Sequence, residues 1–143
     1  MRSGRRGSRE LALQGLYQWQ LSGAEPGVIE TQLAAAKGFE KSDRAYFSQL
    51  LAGTVNEADQ LRIALEPFID RKFEELSPIE RGIMMIGAFE LQHCIEVPYR
   101  VIINEAIELA KSYGGTDGFR YVNGVLDKLA GALRPDEVAR RRA

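Results

Sequence analysis

The chain has 143 residues, of which 45% are hydrophobic and 27% charged, and these fractions are typical of a folded globular domain rather than a disordered segment. No run approaches the roughly 20 consecutive apolar residues that a membrane-spanning helix needs, and the arginine-rich start has no apolar signal segment. The single cysteine, Cys94, excludes an internal disulfide, and one cysteine with one histidine excludes an ordinary His/Cys metal cage. We therefore expect a cytoplasmic protein without a metal or another cofactor.

The net charge of −1 hides an uneven distribution. Residues 1–9 carry four arginines and no acidic residue, and residues 134–143 carry four arginines against two acidic residues. Residues 10–133, the body of the chain, carry 11 basic and 18 acidic side chains. Basic ends favour a polyanion as a partner, whereas an acidic body favours a basic one. The alternative is that both ends are solvated tails.

In the first half of the chain, the apolar spacing predicts helices and no strand. The first helix covers 8–21, and Pro26 lies in the first turn of the second, which Gly38 follows. Ser42 is expected to cap a long third helix, which is free to kink around residues 53–56.

In the second half, the signals for helix ends are stronger. The segment Ser77–Glu80 has the pattern of a capping box with proline at the first helical position. Pro98 begins the next helix and Gly114 ends it, and Asp117 is expected to cap the last long helix, which Pro135 closes. The whole pattern predicts an all-α fold.

The chain shows no internal repeat and no linker, so we predict a single helical domain over residues 1–143. We expect a compact bundle of about six to seven helices. The basic N-terminus, 1–8, is expected to be flexible, and residues 135–143 are expected to form a C-terminal tail.

Motifs for catalysis are weak. His93 and Cys94 are adjacent, and neighbours on a helix point about 100° apart, so they do not form a hydrogen-bonded dyad. Gly114-Gly115 follows no predicted strand and precedes no phosphate-binding motif. We predict no catalytic residue and no metal site, and thus a protein that is not an enzyme.

Arginines and tyrosines make a better case for nucleic-acid binding. Arg6 and Tyr17 are eleven residues apart, close to three helical turns, so a helix that includes Arg6 would place it on the face of Tyr17, with Arg9 nearby. Tyrosine beside guanidinium groups offers a stacking surface for bases next to charge that neutralises phosphate. The spacing is equally compatible with Tyr17 in the core, beside Leu16.

A second aromatic and basic cluster surrounds the turn before the last long helix. Arg120 and Tyr121 fall off the apolar stripe of that helix and are predicted to be exposed, whereas Phe119 is predicted to pack inside. Asn104 and Asn123 are expected to join two helices by hydrogen bonds.

Two long segments, 103–111 (INEAIELAK) and 122–127 (VNGVLD), resemble the signature segments of the NusB family. Residues in 9–21 resemble that family's first helix, and the patterns in 43–53 and 90–99 continue the likeness. The resemblance runs in order along nearly the whole chain.

This resemblance implies an all-helical factor for transcription antitermination. Such a factor binds single-stranded boxA RNA in ribosomal RNA leader transcripts together with the basic ribosomal protein NusE, and it supports transcription by RNA polymerase with other Nus factors and small-subunit assembly. The residue pattern and the resemblance together give as RNA-binding residues Arg5, Arg6, Arg9, Tyr17, Phe68, Tyr113, Asp117, Arg120 and Tyr121. The partner-binding acid implied is Glu80, with Glu74 beside it.

The charge distribution predicts cooperation between the two partners. Because the acidic body repels phosphate, a basic protein that covers it would strengthen RNA binding. Two other functions stay open at this stage. One is the RNA-binding domain of an rRNA cytosine methyltransferase system, whose catalytic domain would be a separate chain; the other is a homodimer that stores the protein with its sites masked.

Overall fold

The computed structural model describes residues 4–35, 39–115 and 117–142, and within them the chain forms eight α-helices and no strand. The helices are α1 (Arg5–Ser22), α2 (Pro26–Leu33), α3 (Arg44–Asn56), α4 (Ala58–Leu65), α5 (Pro78–His93), α6 (Tyr99–Tyr113), α7 (Gly118–Leu133) and α8 (Pro135–Arg142). Short 3-10 helices lie at Phe39–Lys41, Glu66–Phe68 and Phe73–Glu75. The prediction of an all-α fold is confirmed. Among the described residues, no helix has both the length and the apolar character that a membrane span requires.

The helices are more numerous than expected for two reasons. The long third helix is interrupted at Glu57, one residue beyond the region where a kink was expected, so it forms α3 and α4. The residues after Arg134, predicted to be a tail, form α8. The chain divides into two compact units with the boundary between Ala58 and Asp59, where the sequence predicted one domain over 1–143.

In the first unit, α1 packs against α2 and α3. The helices approach closely at Gly15, where a Cβ atom would lie 2.9 Å from the Cδ1 of Leu51 and 3.3 Å from the Cγ2 of Ile29. α1 ends at Gly23, whose φ of 72° is a left-handed conformation that glycine adopts without strain. At its other end α1 reaches back to Arg5, into the segment predicted to be flexible; residues 1–3 lie outside the described residues.

The cap of α3 differs from the prediction by one residue. Asp43 is the N-cap, and its Oδ1 accepts a hydrogen bond of 3.1 Å from the backbone N–H of Tyr46. Ser42 donates its hydroxyl hydrogen to the carbonyl oxygen of Phe39 at 2.6 Å and is not the cap. Gly38, expected to follow α2, lies outside the described residues.

In the second unit, α5, α6 and α7 pack against one another. α5 passes close to α7 at Gly87, where a Cβ atom would lie 2.7 Å from the Cδ1 of Leu126. The predicted start of α5 is confirmed, since the hydroxyl of Ser77 accepts the backbone N–H of Glu80 at 3.1 Å.

Arg134 ties the end of α5 to the segment between α7 and α8. It is 8% exposed, and its guanidinium donates to the Glu137 carboxylate at 2.9 Å. Four backbone carbonyls, each 2.6–3.1 Å away, also accept from it, those of Glu90, Leu91, Cys94 and Val97. From its place in the basic C-terminal segment, Arg134 was expected to be among the charges that a polyanion would meet. That expectation is wrong, because these bonds hold the guanidinium inside, next to the buried Cys94 (1% exposed).

Candidate nucleic-acid interface

Tyr17 lies on the surface of α1, with 41% of its area exposed. Its neighbour Leu16 is fully buried. Because Tyr17 itself is exposed, the alternative that it belongs to the core is wrong. Arg6 shares the helix, eleven residues earlier, but a rise of 1.5 Å per residue separates the two by about 16 Å along the axis. The two side chains are therefore separate contact points on one helix rather than a single stacked pair.

Arg5 and Arg9 meet at the ring of Tyr46, and with Asp43 they form what we call the Tyr46 cluster. The Cζ atoms of Arg5 and Arg9 lie 4.0 Å and 5.6 Å from the ring centroid. The Nε of Arg5 lies 3.7 Å from the Oδ2 of Asp43. Arg9 is 5% exposed and Tyr46 3%. The sequence placed Arg9 near the face of Tyr17, and this is wrong, because Arg9 is buried against α3.

In the second unit, the aromatic residues predicted to bind RNA lie on three elements. Phe68 is half-buried in the 3-10 helix Glu66–Phe68, which contacts α7. Tyr113 ends α6 with 45% of its area exposed. Phe119, predicted to pack inside, is only half-buried. The Nζ of Lys111 and the Cζ of Arg120 lie 5.1 Å and 5.3 Å from its ring centroid.

Asp117 does not cap α7 through its side chain, which corrects the prediction. Its φ of 63° lies in the left-handed region, where aspartate is one of the few side-chain-bearing residues found with any frequency. In that conformation its Oδ1 accepts from the Nε of Arg120 at 3.3 Å instead of from the start of the helix. Asp117 and Arg120 are both exposed, so an acidic and a basic side chain lie side by side on the surface at the start of α7.

Tyr121 is held by two residues that lie 50 and 51 positions earlier in the chain, and we call Asp70, Arg71 and Tyr121 the Tyr121 cluster. The Tyr121 hydroxyl donates to the Oδ1 of Asp70 at 3.0 Å and accepts the backbone N–H of Asp70 at 3.2 Å. The Nε of Arg71 donates to the same Oδ1 at 2.9 Å. The Cζ of Arg71 lies over the Tyr121 ring, 4.6 Å from its centroid.

These contacts shift the pKa values of the cluster. Hydrogen bonds from Arg71 and then from Tyr121 lower the pKa of Asp70 below its ordinary value of 3.8. Burial raises the pKa of Tyr121 above 10.0. The carboxylate is therefore charged, and the phenol protonated, at neutral pH. Sequence reasoning missed Asp70 and Arg71, because no local pattern links them to a tyrosine so far along the chain.

The two acids implied as partner contacts lie at the start of α5. Glu80, in the first turn, is half-buried, and its Oε1 lies 3.4 Å from the hydroxyl of Ser77. Its Oε2 lies 3.0 Å from where a Cβ atom would stand at position 118, so Gly118 leaves room for this carboxylate. Glu74 is exposed in the preceding 3-10 helix, and its backbone carbonyl accepts from Arg81 at 3.4 Å.

Comparison with known proteins identifies the chain. The model of the family described as the NusB family matches residues 6–131. The chain belongs to the NusB family. It is 56% identical over 141 residues to the transcription antitermination protein NusB of Ralstonia nicotianae, covering 99% of this chain and 91% of that protein. It is 53% identical over 144 residues to the same-named protein of Paraburkholderia phytofirmans, covering 99% of this chain and 100% of that protein.

A solved structure of NusB shares the fold. It contains the antitermination factors NusB and NusE in complex with dsRNA. The matched chain superposes with a TM-score of 0.83 and 25% sequence identity, over 90% of this chain and 97% of that one.

The two segments that resemble NusB signatures place Asn104 on α6 and Asn123 on α7. Both side chains are exposed and line a groove of about 240 Å³. No hydrogen bond joins them in the part of the chain that the structure describes, so the predicted link between the helices is wrong. The two helices pack against each other all the same, and each has buried apolar residues, among them Ile103 on α6 and Leu126 on α7.

Proposed function

We propose that this chain is a transcription antitermination factor that binds boxA RNA of ribosomal RNA leader transcripts as one half of a heterodimer with the ribosomal protein NusE. The similarity to proteins named for transcription antitermination, over 99% of the chain, carries the proposal. The fold shared with NusB in a complex with NusE and RNA supports it. In this proposal the chain acts by binding rather than catalysis, in the cytoplasm, with other Nus factors and RNA polymerase as indirect partners.

RNA would meet two sets of exposed or half-buried side chains. In the first unit these are Arg5 and Arg6 near the start of α1 and Tyr17 about three turns later. Arg9 is buried and contacts the same Tyr46 ring as Arg5. Guanidinium groups neutralise phosphates, and an exposed tyrosine stacks on a base whatever its sequence. The corresponding set in the second unit is Phe68, Tyr113, Asp117, Arg120 and Tyr121.

NusE would meet the acidic body, at Glu80 and Glu74. Residues 10–133 carry seven more acidic than basic side chains, which repels phosphate and weakens binding of RNA by this chain alone. A basic partner that covers part of this body removes the repulsion and adds cationic surface. The proposal therefore requires that NusE increase the affinity for RNA.

The decisive experiment measures RNA binding by the full chain with and without NusE, using single-stranded boxA RNA and a scrambled control. We expect weak binding alone, tighter binding with NusE and a preference for boxA. If Arg5, Arg6 and Arg120 each neutralise one phosphate of a single strand, log K falls against log salt with a slope of about −2. Tight binding of any RNA without NusE, indifference to NusE, or an affinity that ignores salt would contradict the proposal.

A charge-removing variant tests the NusE contact. Glu80→Gln keeps an acceptor for the Ser77 hydroxyl, so α5 still starts normally, but the carboxylate charge is lost. We expect NusE affinity to fall roughly tenfold, or about 1.4 kcal/mol. Glu108→Gln, at an exposed position of α6, removes the same charge and serves as the matched control. Equal affinities for the two variants would remove Glu80 from the interface.

A further inference from the structure

We propose that Arg71 contacts RNA directly, and that Asp70 and Tyr121 fix its guanidinium as a platform on which one base stacks while a phosphate binds its edge. The inference deepens the proposed function and depends on it. It changes the role of Tyr121, whose ring then supports the platform rather than meeting the base itself.

The ring of Tyr121 is not open on the side that Arg71 covers. The guanidinium carbon stands 4.6 Å from the ring centroid, which is within the range of a cation–π contact. The hydroxyl makes two hydrogen bonds to Asp70, so the ring is held at its far end as well. A base that approaches this side of Tyr121 meets Arg71 first.

Arg71 has unused binding capacity. Its Nε is committed to Asp70, whereas its two Nη groups have no hydrogen-bond partner within the described ranges. The side chain is 45% exposed. A guanidinium offers a plane that stacks on bases and an edge with N–H donors that match phosphate oxygens. Because Asp70 and Tyr121 already hold the group in place, less conformational entropy is lost when a ligand binds.

A nucleotide of single-stranded RNA uses both properties at once. An acidic peptide would pair with the charge of Arg71 but leave the plane of its guanidinium unused. Arg120, adjacent to Tyr121 in the first turn of α7, adds a second cation for the backbone of the same strand. The chemistry therefore favours one base and its flanking phosphates.

The test measures boxA RNA affinity of the full chain in complex with NusE. We expect Arg71→Ala to weaken binding roughly ten- to hundredfold, the range for loss of one stacked base, and to make the salt slope less negative by about 0.7. Arg71→Lys keeps the charge but not the plane, so the slope should stay while most of the affinity is lost. The matched control is Arg62→Ala, which removes from α4 a cation that is paired with Glu66. It should change the affinity for RNA by less than about twofold.

Asp70→Asn separates positioning from simple electrostatics. Removal of a negative charge should strengthen RNA binding if only the overall field mattered. If Asp70 orients Arg71, the affinity should instead fall, by roughly three- to tenfold. Tyr121→Phe removes the hydroxyl bonds but keeps the ring, and the expected loss is smaller.

Two results would overturn the inference while leaving the proposed function intact. In the first, the Arg71→Ala complex has the same affinity for boxA RNA as the Arg62→Ala complex. In the second, the Asp70→Asn complex binds boxA RNA more tightly than the wild-type complex does. A wild-type complex that fails to bind boxA would overturn the proposed function and this inference with it. Far-ultraviolet circular dichroism and thermal denaturation of each variant show that a loss of affinity is not a loss of fold.

Discussion

The Tyr46 cluster and the Tyr121 cluster use the same chemistry for different ends. In each, an arginine lies over a tyrosine ring and a carboxylate neighbours the guanidinium, at 3.7 Å in the first cluster and 2.9 Å in the second. The Tyr46 ring is 3% exposed, and the cluster joins α1 to α3. The Tyr121 cluster lies at the surface, with 45% of the Arg71 side chain exposed.

Burial of the ring, rather than residue type, separates the two arginine–tyrosine clusters. In the Tyr46 cluster the ring and Arg9 are buried, whereas Arg5 and Asp43 stay partly exposed. Loss of the ring or of Arg9 should therefore appear as lost stability. In the Tyr121 cluster solvent screens the same contacts, so we expect them to add little stability. In our proposal they hold the Arg71 guanidinium in place for RNA.

The largest effect is expected from truncation of the two rings. Tyr46→Ala removes a buried aromatic side chain and should lower the free energy of unfolding by about 3–5 kcal/mol. Tyr121→Ala should lower it by less than about 1 kcal/mol, because part of its area is already in contact with water. Urea denaturation followed by circular dichroism compares the two. Equal losses would show that the Tyr121 cluster is also part of the core.

Tyr17 offers a surface ring without a covering cation in α1, and so a simpler comparison with Tyr121. Tyr17→Ala should cost roughly 1–3 kcal/mol of RNA affinity, the range for one stacked base, with an unchanged thermal midpoint. Filter binding and thermal denaturation measure the two quantities. A folding defect with normal RNA affinity would return Tyr17 to a structural role.

Arg9 and Arg71 should differ in their contribution to stability in the same way as the Tyr46 and Tyr121 rings. Arg9→Ala removes a cation that is 5% exposed and lies over Tyr46, and we expect a loss of about 1–2 kcal/mol in unfolding free energy from packing and the cation–π contact. Arg71→Ala should change stability by no more than about 0.5 kcal/mol. The same denaturation experiment decides; a larger loss at Arg71 would contradict this expectation.

The smallest effect concerns pH. The pKa of Asp70 is lowered in the folded chain, so its carboxylate stabilises the fold above the pKa that it has in the unfolded chain. This stabilisation is lost as the pH falls through the lower pKa of the folded chain. Carbonyl NMR should place the Asp70 titration below 3.8 in the wild type. In Arg71→Ala the midpoint should rise toward that value, since the main cause of the shift is gone. An identical midpoint in both proteins would mean that Arg71 does not hydrogen-bond Asp70 in solution.

Sequence predicted most of the fold because most helix ends here are set by neighbouring residues. Ser77 caps α5 through the N–H three residues later, and Gly23 ends α1 through its own backbone conformation. Local chemistry did not decide between the adjacent residues Ser42 and Asp43, since both side chains are good caps. It also did not give the conformation of Asp117, because a left-handed aspartate and a capping aspartate share one sequence pattern.

Features that depend on residues far apart in the chain could not be predicted from the sequence. Arg134 bonds carbonyls 37 to 44 positions away, and Tyr121 bonds Asp70 over 51 positions. The residue pattern and the family resemblance together supplied Tyr17 and Tyr121 as candidates, and the structure shows both at least partly exposed. They did not supply Arg71, whose position over Tyr121 only the fold reveals.

The burial of Cys94 has a practical consequence for experiments on this chain. The thiol is the only one in the sequence and is 1% exposed, so maleimide reagents should leave it untouched in the native state. A cysteine introduced at Gly131, where a Cβ atom meets nothing within 4 Å, would then be the only thiol available for labelling in the native state. A fluorophore attached there would report assembly of the complex one molecule at a time.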